Sequence, residues 1–178
     1  MKEHCHSVTR IFLVGMMGAG KTTVGKKLSK GLGWDFLDVD RVVEATTGVS
    51  ITTIFEIEGE AGFRKREGFA LEQASRIDKL LIATGGGVVL NPANRARLVA
   101  SGFVVYLHAS AELLYARTKH DKGRPLLQVA DPLSKIRSLV ERRDPLYREV
   151  ADMVVESGAG VNNTVDCIQK VVESLCTH

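Results

Sequence analysis

Gly15 to Thr22 read GMMGAGKT and satisfy the pattern G-x4-G-K-S/T in full. Chemically this is a phosphate cradle. Its glycines let successive backbone N–H groups face one anion, and the helix expected to follow aims its positive end at the same place. Lys21 supplies a point charge able to reach β- and γ-phosphates, and Thr22 a hydroxyl able to meet Mg2+. A glycine-rich turn with an accidental lysine is the bland alternative. The apolar run before the motif and the helical spacing after it argue against that. The candidate nucleotide contacts are Gly18, Ala19, Gly20, Lys21, Thr22 and Thr23.

Further along, Phe36 to Asp40 read FLDVD. Taken as a strand, the run turns the carboxylates of Asp38 and Asp40 the same way, because side chains two residues apart share a face. One could hold Mg2+ waters while the other accepts a proton from an attacking hydroxyl. An acidic strand end that caps the next helix is the alternative. No N-K-x-D guanine reader occurs, which argues against a GTPase. Four arginines could meet moving or anionic charge. They are Arg64 in GEAGFRKRE, Arg117 on a predicted helix, Arg124 in GRPLL, and Arg143 just before DPLY. Pro145 is expected to turn the chain just after the helix that ends at Arg143. Any one arginine alone is more often a solvated surface charge. Gly85, Gly86 and Gly87 follow an apolar run directly, which suggests close approach of backbone to a ligand.

The elements that must position these groups alternate. Apolar runs predict strands at Arg10–Val14, Phe36–Val39, Leu80–Thr84, Phe103–Leu107 and Met153–Val155. Helical patterns occupy Gly20–Leu32, Arg41–Thr46, Glu60–Ile77, Pro92–Ala100, Ala111–Lys119, Pro132–Arg143 and Thr164–Leu175, and Gly33 is placed as the stop of the first. Such alternation implies right-handed crossovers and a parallel α/β sheet with helices on both sides. The stretches from Val39 to about Phe63 and from His120 to Ala130 exceed simple connections, and insertions at strand carboxyl ends are where ligands are held.

Composition sets bounds on partners. The 178 residues are 44% hydrophobic and 25% charged, the balance of a globular domain, and a net charge of +3 is too weak to argue for nucleic acid. No apolar stretch approaches the roughly 20 residues of a membrane span, and the polar N-terminus does not read as a signal peptide. Cys5, Cys167 and Cys176 are scattered, which suits reduced thiols in a cytoplasm better than a disulfide framework. His4, Cys5 and His6 lack a fourth partner for a metal and read as an inert tail.

The pieces GMMGAGKTTVG, FLDVD, IFEIEGEAGFRKRE, ATGGGVV, GRPLL and RRDPLYREVA resemble the shikimate kinase family, in its order and spacing from about residue 10 to 155. The phosphate cradle is widely shared, whereas F-R-x-x-E, the triple glycine and R-x-P-L-Y together are far more specific. The resemblance implies a P-loop kinase fold of the nucleoside-monophosphate-kinase kind, a five-stranded parallel sheet flanked by helices. One domain would carry a shikimate-binding insertion at about 39–66 and a lid at about 120–130. The implied activity is ATP-dependent phosphorylation of the 3-hydroxyl of shikimate, a step of chorismate and aromatic amino-acid biosynthesis. It would be carried out in the cytoplasm by a monomer that uses Mg2+ and meets neither membrane nor nucleic acid.

Residue by residue, the resemblance implies that Asp40 holds the acceptor hydroxyls and takes the proton. It makes Thr22 a direct Mg2+ ligand and Asp38 one through water. Arg64 and Arg143 would grip the shikimate carboxylate, with backbone contact from Gly86 and Gly87. Arg124 would reach the ATP phosphates from the lid alongside Lys21, and Arg117 would stack on adenine. Near the adenine the family often carries a basic or amide residue, and this chain departs from it with SGAGVNN at 157–163. A gluconate-type or nucleotide kinase would share the fold and loop, but a neutral sugar needs no carboxylate clamp. A non-catalytic nucleotide-binding module is the alternative of another class.

Overall fold

The computed structural model describes residues 8–121 and 125–176. Five strands, β1 (Arg10–Val14), β2 (Asp35–Asp38), β3 (Leu80–Ala83), β4 (Phe103–His108) and β5 (Met153–Glu156), form one sheet in the order β2-β3-β1-β4-β5. Every pairing is parallel, as the unbroken apolar runs require. Ile11 to Val14, Leu80 to Ala83 and Phe103 to Leu107 are all buried, so the three central strands are covered on both faces. The covering helices are α1 (Lys21–Leu32), α2 (Val39–Thr47), α3 (Ile51–Ala74), α4 (Pro92–Ser101), α5 (Ala111–Thr118), α6 (Pro132–Val150) and α7 (Val161–Cys176). Among the described residues no helix is long and apolar enough to cross a membrane.

A parallel sheet brings all its strand carboxyl ends to one edge. The loops after β1, β2 and β3 therefore open side by side, and these hold the cradle, Asp38 with Asp40, and the triple glycine. The first of these turns needs a glycine. Gly15 sits at φ +143°, and an added Cβ would lie 2.6 Å from the Leu107 carbonyl oxygen on β4.

Three expectations are corrected. The second strand ends at Asp38, which caps α2 by accepting the Asp40 N–H at 3.1 Å, so Asp40 lies in the first helical turn and not on the strand. The predicted helix at Glu60 begins earlier, at Ile51, and bends at Gly59, whose φ of 70° and ψ of −178° fit only glycine. The bidentate Arg66–Glu58 pair, at 2.6 and 3.0 Å, spans that bend.

The third correction is Pro145, which does not end the helix: α6 runs on to Val150. Proline removes one helical hydrogen bond and crowds the carbonyl four residues back, at a cost of about 3 kcal/mol. Beyond it, Tyr147 and Val150 continue the buried stripe of Ile136, Leu139 and Arg143. Burying two such side chains returns roughly 1.5–3 kcal/mol each, so the helix persists.

Candidate active site

Two clefts meet along the carboxyl edge of the sheet. The larger, about 690 Å3, runs over the cradle from Gly18 to Thr23 and ends against Arg117 and Ser157. The smaller, about 250 Å3, is walled by Phe55, Phe63, Arg64, Gly86, Gly87 and Arg143. Asp40, Met17 and Gly86 line both. A carboxylate is thus set in the wall between a phosphate cradle and an arginine-lined pocket.

At the cradle, Lys21 Nζ donates to the carbonyls of Gly15 (2.7 Å) and Met16 (2.8 Å). The ammonium is thereby held over the loop where phosphates would sit. The exposed Thr22 Oγ1 donates to Asp38 Oδ2 at 2.7 Å, bringing a hydroxyl and a carboxylate together at the mouth of the larger cleft. Hard oxygen donors of this kind suit Mg2+, which binds one or two protein oxygens and takes its other ligands from phosphates and water.

Arg117 bonds Gly18 O (3.1 Å), Ser157 Oγ (3.2 Å) and Ser157 O (3.0 Å). It thus ties the cradle to the SGAGVNN segment at the far end of the cleft. Arg124 lies outside the described residues.

The smaller pocket is organised by a buried ion cluster. Arg64, on α3 beside Phe63, bonds Glu67 Oε2 at 2.8 Å and Glu60 Oε1 at 3.1 Å, and its guanidinium lies 5.1 Å from the Phe63 ring centre. Phe63 in turn packs on Phe55 with ring centres 5.1 Å apart. Burial alone would lower the basicity of Arg64, but the charge of Glu67 and the bonds from both glutamates carry it above the ordinary value. Arg143 comes from α6, is 3% exposed and donates from Nη1 to Gly86 O at 3.1 Å. Its burial and the positive charge of Arg64 hold it below the ordinary arginine value. Two guanidiniums are therefore kept close enough to repel, and the pocket they line would favour an anion.

The triple glycine is explained by these side chains. An added Cβ at Gly85 would collide with Glu67 Oε1 and lie 2.9 Å from Asp40 Oδ1, and one at Gly87 would collide with the Arg64 guanidinium. At Gly86 it would come within 3.3 Å of the Met17 amide nitrogen on the cradle. Close approach to a ligand is the expectation for these glycines; what comes close in the structure is the protein's own side chains and the cradle backbone.

Phe55 is not singled out in the sequence, and Phe63 and Glu67 stand there in F-R-x-x-E without a role of their own. Glu67 sits three residues after Arg64, and an i,i+3 acid–base pair on a predicted helix is the signal that could have found it. It is fully buried, and burial pushes its carboxyl above the ordinary 4.5 despite the charge of Arg64. A carboxyl whose proton is held more tightly in the fold than in the unfolded chain costs stability when ionised. That cost fades as pH falls through the folded value toward 4.5. Glu67→Gln, locked neutral, should therefore gain most over the parent at pH 8 and lose that gain on the way to pH 5, with thermal melts at stepped pH as the measurement. A difference that stays flat across the range would show that the ionised form of Glu67 is no burden.

Known proteins share this fold and much of this sequence. The family model described as "Shikimate kinase" matches residues 17–175. The shikimate kinase of Aromatoleum aromaticum is 52% identical over 173 residues, covering 94% of this chain and 99% of that protein. The solved shikimate kinase from Acinetobacter baumannii, in complex with shikimate, superposes with a TM-score of 0.92 at 47% identity over 94% of each chain. A gluconokinase from Sinorhizobium meliloti reaches only 0.61 at 17% identity, over 97% of this chain and 95% of that one, a likeness of fold alone. With a phosphate cradle, an interposed carboxylate and paired arginines set on the same scaffold over nearly its whole length, the chain belongs to the shikimate kinase family.

Proposed function

We propose that the chain transfers the γ-phosphoryl group of ATP to the 3-hydroxyl of shikimate, giving shikimate 3-phosphate and ADP in the route to chorismate and the aromatic amino acids. One observation carries the reading: Asp40 lies in the wall shared by the nucleotide cleft and the arginine-lined pocket. A hydroxyl held in the smaller pocket would meet the γ-phosphate beside Asp40, which takes the proton as the new O–P bond forms and the bond to ADP breaks. Arg64 and Arg143 fasten the acceptor's carboxylate and so fix which hydroxyl is presented. Lys21 carries charge that develops on the transferred group, and Arg124 is assigned the same role from the lid at about 120–130.

Thr22 as direct ligand and Asp38 through water would hold Mg2+, which supplies neutralisation of the phosphate charge when bound. The acceptor-holding insertion is α2 with the first part of α3, about 39–66, and lid closure serves to keep water from the γ-phosphate. Arg117 is assigned to the adenine face. A monomer is the working unit in this reading. A cytoplasmic location belongs to the same reading, because the phosphoryl donor is ATP.

Steady-state ATP turnover with and without shikimate tests the reading directly. ADP release should depend on shikimate and remain near background with gluconate or nucleoside monophosphates. Equal turnover with all acceptors, or none with shikimate, would overturn it.

A further inference from the structure

Tyr147 is 0% exposed and takes no direct part in the chemistry described above. Its hydroxyl donates to Gly86 O and lies 3.7 Å from Met16 Sδ. The same carbonyl accepts Arg143 Nη1 at 3.1 Å. A carbonyl oxygen has two lone pairs, so these two donors fill its capacity and fix the orientation of the peptide. An added Cβ at Gly86 would lie 3.3 Å from Met17 N and 3.7 Å from Arg143 Nη1, so this peptide is lodged between the cradle and the arginine. Tyr147 therefore touches the cradle at Met16 and, at Gly86 of the triple glycine, the peptide on which Arg143 rests.

The ring is itself held. It stacks on Tyr106 with centres 4.8 Å apart and planes at 28°. The Tyr106 hydroxyl donates to Asp144 Oδ1 at 2.9 Å, and Asp144 Oδ2 accepts Arg148 Nε at 2.7 Å. This run of contacts explains why α6 continues past Pro145: the site needs a residue one turn beyond Arg143 on the same buried stripe.

We propose that Tyr147 is a positioning residue for acceptor recognition, its hydroxyl orienting the Gly86 peptide and through it the Arg143 guanidinium that grips the acceptor's carboxylate. The inference rests on the proposed acceptor being shikimate. Burial pushes the phenol well above its ordinary pKa, so it remains a donor throughout the working pH range.

Tyr147→Phe keeps the stacked ring and removes only the hydroxyl. One lost hydrogen bond in the grip corresponds to roughly tenfold in binding. KM for shikimate should rise by about that factor, while kcat and KM for magnesium ATP stay within about twofold. The discriminating readout is the preference for shikimate over its carboxamide, taken as the ratio of kcat/KM values. It should shrink about tenfold in Tyr147→Phe and stay unchanged in Tyr106→Phe, which removes the same atom from the neighbouring ring. Equal losses on both acceptors, an unchanged KM, the same narrowing in Tyr106→Phe, or a Tyr147→Phe protein that no longer melts cooperatively would each assign the hydroxyl to the fold and overturn the proposal. Parent-enzyme turnover of shikimate in the same series tests the acceptor assignment separately.

Discussion

Asp40→Asn should lower kcat for shikimate phosphorylation about a hundredfold or more while nucleotide affinity stays within about threefold. The substitution is nearly isosteric. The Asp40 N–H that Asp38 caps at 3.1 Å is retained, and an amide fits against Gly85 as the carboxylate does. What disappears is a carboxylate that could take a proton from the attacking hydroxyl, the role proposed for Asp40. General-base assistance is worth about two to four powers of ten, and about 3 kcal/mol of barrier corresponds to the lower figure. The cradle from Gly18 to Thr23 is untouched, so titration with ATP should give a near-normal dissociation constant. Steady-state kcat beside that titration checks both halves. Near-normal kcat would remove Asp40 from proton transfer, and lost nucleotide binding would make it part of the cradle instead.

The parts of this site that could be read from residues alone are those whose cause is local. GMMGAGKT carries its geometry within eight residues, and the buried strands announce themselves as unbroken apolar runs, which is why the β1 and α1 boundaries lie within a residue of expectation. Asp40 lines both clefts, but not for the local reason that strand alternation suggests. Its direction comes from a helical turn capped by Asp38, not from strand alternation. Pro145 misled because its cost is local, whereas the burial of Tyr147 and Val150 that outweighs it depends on β4 and the glycine loop far away in the chain.

The triple glycine shows the same limit. Three residues without side chains signal that something comes close, but only the fold identifies Glu67, Asp40 and Arg64 as what does. Glu67 stands in F-R-x-x-E, but its full burial is not legible there and follows from α3 packing against that loop.

Arg64→Lys is the substitution expected to separate binding from chemistry. Arg64 meets Glu67 at 2.8 Å and Glu60 at 3.1 Å with different nitrogens, while the pocket side of the guanidinium lies over Gly87. A planar fork can satisfy two glutamates and still present N–H groups to a carboxylate, whereas an ammonium is a single point with a strongly hydrated charge. Lysine would be drawn to Glu67, whose buried carboxylate otherwise loses its partner, and would leave the acceptor's carboxylate to Arg143 alone. Losing a bidentate contact of about 2 kcal/mol raises KM for shikimate roughly thirtyfold. Because the carboxylate is gripped alike before and during transfer, kcat should fall by no more than about threefold. KM for magnesium ATP should hold, since Arg64 lines the smaller pocket and not the larger. A large fall in kcat at unchanged KM would mean that Arg64 acts on the transferring group, and the division of labour between the two clefts would have to be redrawn.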